Sequence, residues 1–361
     1  MTDDTTGNPT EVIDDDIRGF WKPPAPRELP ALRAALAEHM RNPFNLEMTA
    51  RTLAAGKGAL IPPGPPHQAA ATLLADEHRR LRAAQLYYVT EEMTELARVA
   101  GAGLPDHRLH RDDLPSSGGF VQFASPIGGY VSDDEGMGPR RTHIVACSWG
   151  DTTMKTSRDG VWLTFWCPVN TSWLAELFVH TEGYSQTDAE RVVRATHTEL
   201  LWDNEAFVPF DGEDRVGLIA ANRDVTDQVD PSQSIAPWIQ TVRAAWLLMT
   251  QPGITDVEHQ RLPRQQQRRA ARDGYPASDV HVVRLRTHPA ADRDTDGNGG
   301  GPRAYTVRWM VRGHWRQQPH GPNRSLRRPV WINPHLKGPA DAPLATTEKV
   351  YLVDRAPDPT S

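Results

Sequence analysis

Cysteine is nearly absent from this chain, with 2 among 361 residues. Cys147 and Cys167 are too few for a disulfide framework or a four-thiolate zinc site, and they read as two half-buried thiols, with a single disulfide as the alternative. Long apolar runs are missing as well. No stretch approaches the roughly 20 residues that a membrane span requires, so no membrane partner is expected. The N-terminus, MTDDTTGNPTEVIDDD, is acidic and polar, the opposite of a secretory signal with its basic and apolar regions, which makes a cytoplasmic location the expectation. The common site signatures are also lacking: no P-loop, no G-x-G-x-x-G after a strand, no H-E-x-x-H and no G-x-S-x-G. The familiar nucleotide and hydrolase sites therefore have no support, and no cofactor is expected.

Proline (31) and glycine (27) are plentiful, which points to many loops and short elements. Hydrophobic residues at 38%, with 11 tryptophans, are enough for a buried core. The net charge of -6 conceals an asymmetry. Between Arg261 and Lys337 there are 16 lysines and arginines against 5 acidic residues, and the rest of the chain holds 24 against 41. A basic segment on an acidic body is the electrostatic footprint of a polyanion binder. The plainer alternative is that the two parts attract each other within the fold.

In chain order, residues 1–26 read as a disordered acidic tail and 27–68 as a helical segment closed by the proline-rich connector LIPPGPPH. Residues 69–355 form an α+β domain that carries a basic C-terminal ribbon at 261–337, and 356–361 form a short tail. Within the domain a helix is expected over 69–100, with a possible break near Thr90; its charged run DEHRRLRAA reads as a solvated face. Three strands follow, at Gly119–Ala124, His143–Trp149 and Gly160–Trp166, with no helix between them, which argues for a central antiparallel sheet. The polar loop GGYVSDDEGMGPRR looks hairpin-like, and its acidic triplet reads as solvent-facing. SWLAELFVH (172–180) is either a short strand or a helical turn. A helix is expected from Thr187, as N-cap, to about Leu201. The run IAPWIQTVRAAWLLMT (235–250) predicts a buried, Trp-rich helix with Pro237 tolerated in its first turn. RLPRQQQRRAARDGY (261–275) is a short helix or an extended arm. Strands are expected at His281–Arg286 and near Lys349–Val353.

The most function-like stretch is Tyr305–Lys337. Tyr305, Val307, Trp309 and Val311 alternate with Thr306, Arg308, Met310 and Arg312, so a period of two places both arginines on one strand face. Gly313 permits a backbone excursion into a loop of His314, Trp315, Arg316, Gln317, Gln318 and His320. Gly321-Pro322-Asn323 reads as a turn, and Arg324, Arg327 and Arg328 lead into a return strand at Val330-Trp331-Ile332. The planar forks of these arginines suit phosphate. Trp315 could stack on an unpaired base, and Gln317 or Gln318 could meet base edges. Trp309 and Trp331 read as core residues of a small sheet, while Trp315 fits either role. Arg264, Arg268 and Arg269 would form an accessory arm.

Two catalytic readings compete with binding. His314, His320 and His335 could ligate zinc, but no cysteine lies nearby and no short H-x₃-H pair is present, so no metal is expected. Alternatively, His314 and His320 could cleave RNA without a metal, one imidazole removing the 2′-OH proton and the other protonating the leaving oxygen, with Arg316 steadying the phosphorane charge.

The runs VRGHWRQQPHGPNRSLRRPVWINPHLKGPADAPL, WIQTVRAAWLLMTQPGITDVEHQRLPRQQQRRAARDGY and DDLPSSGGFVQF resemble a family of actinobacterial phage, plasmid and chromosomal proteins. That family carries a C-terminal R-G-H-W-R…W-I-x-P-H-x-K-G-P signature. More distantly, Arg312-Gly313-His314-Trp315-Arg316 and the element order are similar to the core of a type V anti-CRISPR protein that lowers production of its target nuclease during translation. The resemblance implies a mobile-element regulatory protein working near RNA or nascent chains, and it brings no catalytic residue with it. Taken together, the expected activity is nucleic-acid binding, of RNA in preference to DNA. A metal-free ribonuclease and an antagonist of an acidic protein surface remain as alternatives.

Overall fold

A computed structural model describes residues 17–56, 62–133, 136–154, 159–210, 219–220, 234–276, 279–286 and 309–337. The fold is α+β, built as helices on both faces of one large mixed sheet. The sheet has eight strands: β1 (Gln85–Val89), β2 (Gly119–Phe123), β5 (Ala146–Gly150), β6 (Gly160–Pro168), β7 (Leu200–Pro209), β8 (Ile219–Ala220), β9 (Thr255–Gln260) and β10 (Val280–Leu285). Their spatial order is β8-β7-β6-β5-β2-β1-β10-β9. β3 (Gly128–Asp133) and β4 (Pro139–Ile144) form a separate antiparallel hairpin in the stretch that the sequence marks as hairpin-like.

The expectation of a purely antiparallel sheet is corrected at its centre. β1 runs parallel to both of its neighbours, β2 and β10. This strand also divides the long helix expected over 69–100 into α3 (Pro66–Ala83) and α4 (Glu91–Ala102). The cause is local: Gln85-Leu-Tyr-Tyr-Val is aromatic and β-branched, and it is covered on both faces. Its continuous apolar character therefore imitates a helical stripe. β1 then leads through α4 to β2, as a parallel pair requires a crossover.

Alternation along the strands separates two cores. Tyr87, Val121, Cys147 and Phe165 face α4 and α7 (Ala236–Met249). Leu86, Phe120, Ala146, Val282 and Trp166 face α1 (Leu29–His39) and α3. α2 (Pro43–Ala54) packs beside α3 over Trp162 and Phe207. Ile17 and Trp21 also pack on the α1 side of the sheet. α7 is buried as its sequence predicts, with Trp238, Val242 and Trp246 all inside.

Other boundaries move for physical reasons. SWLAELFVH lies within a helix, α5 (Thr171–Glu182), capped by the Asn170 side chain, which accepts from the Trp173 N–H at 3.1 Å. The next helix, α6 (Gln186–Thr196), is capped by Ser185 rather than Thr187, with Ser185 Oγ accepting from the Asp188 N–H at 3.2 Å. It stops before Leu201 because Leu200 onward is claimed by β7. The run DEHRRLRAA is not a solvated face. Asp76, Glu77 and Arg80 are buried between α3 and the sheet. Arg80 bridges both carboxylates, Ser148 and Thr164 donate to Glu77 at 2.7 and 2.8 Å, and Thr152 and Thr153 donate to Asp76. Burial alone would raise the Asp76 pKa; Arg80 and the threonines outweigh it and hold it down at about 2.

Candidate nucleic-acid interface

Within the basic C-terminal segment, residues 314–332 fold as a two-stranded ribbon, whose strands lie further along than the sequence pattern places them. Trp309–Val311 (β11) is a short strand paired with His335–Lys337 (β14). Arg308, with the rest of 305–308, lies outside the described residues, as does the strand expected near 349–353. The expected loop 314–320 is instead a strand, β12 (His314–His320), antiparallel to β13 (Leu326–Ile332). The polar content of His314–His320 hides a strand because ribbon strands with water on one side need little apolar sequence. The turn falls where Gly321-Pro322-Asn323 predicts it, with Gly321 at φ 73°. Asn323 and Arg324 also adopt positive φ there, an uncommon conformation for residues with a side chain.

The ribbon is gripped at its base. Trp315 and Trp331 are direct cross-strand partners with rings edge-to-face at 5.3 Å. Trp331 is buried, and its amide donates to the Gln251 side chain at 3.0 Å, just beyond α7. Trp315 is half-buried, and its indole N–H donates to the Ala100 carbonyl at 2.7 Å. That carbonyl belongs to the last turn of α4 and also accepts from the Gly103 N–H at 3.2 Å. Gly313 is explained by packing: a Cβ there would lie 2.4 Å from the Trp331 ring. Arg328 supplies a third tie. It donates to the Asp112 carbonyl at 3.0 Å and pairs with Asp113 at 3.3 Å.

Asp113 is itself a buried hub. It meets His107 Nε2 at 2.9 Å and accepts from the His110 amide at 3.0 Å. Burial pushes its carboxyl pKa up, but the hydrogen bonds from His107 and His110, with the Arg328 charge, outweigh that and hold it below the usual carboxylate range. Arg243, the lone charge in α7, completes the cluster by donating to the His107 carbonyl. Of this cluster, the sequence-based site contains Arg328 alone. A further signal in the sequence is Arg243, the lone charge in the largely apolar α7.

Above the base the ribbon is open. Every residue from His320 to Arg327 is exposed. Arg312, Arg316 and Arg324 are exposed and have no acidic partner among the described residues. Arg327 is exposed and donates to the ribbon carbonyls of Arg324 at 2.8 Å and Leu326 at 3.3 Å. Gln317 is exposed and Gln318 half-buried.

The histidines do not converge. His314 and His320 stand at opposite ends of one strand, six residues or about 20 Å apart at the strand rise. The attacking and leaving oxygens of RNA cleavage share one phosphorus, so these two imidazoles cannot serve a single phosphate together. His314 is exposed, and its Nδ1 lies 3.0 Å from the Arg312 carbonyl. Among the described residues no three His, Cys, Asp or Glu side chains gather where a metal ion could sit.

Arg264, Arg268 and Arg269 lie on α8 (Arg264–Arg272), whose arginines are exposed. This helix is not an extension of the ribbon. Ala270, Leu262 and Tyr275 seat it in the core on the α1 side of the sheet, whereas Trp315 and Trp331 seat the ribbon in the core on the α7 side. The two basic surfaces are thus anchored on opposite faces. No protein-family model matches this chain, and no curated protein or solved structure matches it significantly.

Proposed function

We propose that this protein is a regulator of the mobile-element type that binds nucleic acid, RNA in preference to DNA, through the β12–β13 ribbon in the cytoplasm. The observation that carries the reading is the exposed group of Arg312, Arg316 and Arg324, free of acidic partners among the described residues, on a ribbon whose base is fastened to the core. A basic patch that served only to hold the acidic body would have its guanidinium groups paired, as Arg328 is. The resemblance of the R-G-H-W-R segment to regulatory mobile-element proteins supports the same reading and its preference for RNA.

Counterion release supplies the test. With three or four arginines on phosphates, log affinity for RNA should fall against log salt with a slope of roughly -2 to -3. Replacing Arg316 and Arg324 together by Gln should make the slope shallower by about one to one and a half. The melting temperature should stay where it is, because exposed arginines contribute little to stability. An unchanged slope with a lowered melting temperature would show instead that the ribbon grips the protein itself. Salt-sensitive binding to an acidic protein surface, with none to RNA or DNA, would replace the reading with that of a protein antagonist.

A further inference from the structure

Resting on that reading, we infer that the ribbon takes a double-helical segment, gripped through its backbone phosphates, in preference to an unpaired strand. Single strands are held without sequence preference by aromatic platforms on which bases stack. The ribbon's two indole side chains, the largest stacking surfaces it has, are both committed elsewhere. Trp331 is buried. Trp315 packs against it and donates its N–H to Ala100. From Arg316 to Arg327 the sequence contains no Trp, Tyr or Phe at all, and its one other ring is the exposed imidazole of His320. What that stretch offers is guanidinium groups and a shape.

The shape fits a groove. Two antiparallel strands lie about 4.8 Å apart, and a ribbon of this kind enters the major groove of B-form DNA, about 12 Å wide. Arg316 stands midway along β12 and Arg324 in the turn. Arg316 is five residues from Gly321, about 17 Å of strand. Arginines so spaced along one projecting element can reach the phosphates on both rims of a groove. The wide, shallow minor groove of an RNA helix offers a second surface of matching openness, read by shape and phosphate contact.

The full chain should be titrated with an RNA duplex and a DNA duplex of about 20 base pairs, two helical turns, and with one strand of each. The expected result is that at least one duplex binds roughly tenfold or more tightly than its own strand, with the steeper salt dependence of duplexes, near 0.9 per phosphate rather than 0.7. Arg324→Gln should weaken duplex binding without lowering the melting temperature. Preference for the RNA duplex supports the inference together with the RNA reading; preference for the DNA duplex supports the inference and overturns the RNA preference. A strand bound as tightly as its duplex overturns the inference and leaves nucleic-acid binding standing. No binding to any of the four probes overturns both.

Discussion

A charge removed from water must recover its hydration from neighbours, and Arg80 does so from two carboxylates at once. Its side chain is only 2% exposed. Arg80→Met would leave Asp76 and Glu77 buried without their counter-charge, and a loss of about 3–5 kcal/mol is expected. Urea denaturation should show it as a lower midpoint at unchanged slope. His197 makes the complementary case of a group kept neutral. It lies among Phe44, Phe178 and His39, and burial, followed by His39, lowers its pKa from 6.5 to about 4. Between those values the unfolded chain binds more protons than the folded one, so stability should fall as pH drops from 6.5 towards 4 and be fully present above 6.5. Melts of the wild type and His197→Phe across that window should converge at high pH in their pH dependence, with the variant flatter on the acid side.

The two helices of the ribbon-side layer cross closely because of one residue. A Cβ on Gly101 of α4 would lie 2.9 Å from backbone atoms of Gln240 and Thr241 in α7. Gly101→Ala gains about 1 kcal/mol of helix propensity, yet overpacking against backbone should cost more, about 1–3 kcal/mol. A thermal melt should therefore show net destabilisation. Such a crossing is invisible in sequence, where Gly101 simply reads as part of the helix stop GAGLP. What the sequence does reveal is elements whose pattern is internally consistent: the apolar periodicity of α7, the Gly-Phe-Val-Gln-Phe strand and the Gly-Pro-Asn turn. It misleads where two explanations share one composition. Leu86-Tyr-Tyr-Val reads as helix because a strand covered on both faces loses its alternation. Asp76 and Glu77 read as solvated because their partners lie far along the chain: Ser148 and Thr164 are 71 and 87 positions from Glu77, and Thr152 and Thr153 are 76 and 77 from Asp76. In the candidate site, the exposed arginines are legible as a group, but the commitment of Trp315 and Arg328 to the body depends on Ala100 and Asp113, which no local pattern connects to them.

At the scale of the molecule, the sheet divides the positive charge into two surfaces, the ribbon seated on the α7 side and α8 on the α1 side. Arginines that look like one basic segment in the chain therefore cannot all lie along one short ligand, and only the ribbon group is fastened for projection. The central strand carries a different consequence. β1 is bordered on one side by β2, which follows soon after it, and on the other by β10, with Val89 and Val280 some 190 residues apart. During synthesis β1 leaves the ribosome long before its second neighbour exists. At translation rates of about 5–20 residues per second, its edge waits on the order of 10–40 seconds for that neighbour. An apolar parallel edge left open for that time is a template for pairing with other nascent chains. The cell making this protein must therefore shield a half-built sheet, and a ribosome stalled anywhere between β2 and β10 would hold out a sticky strand with one side unpaired.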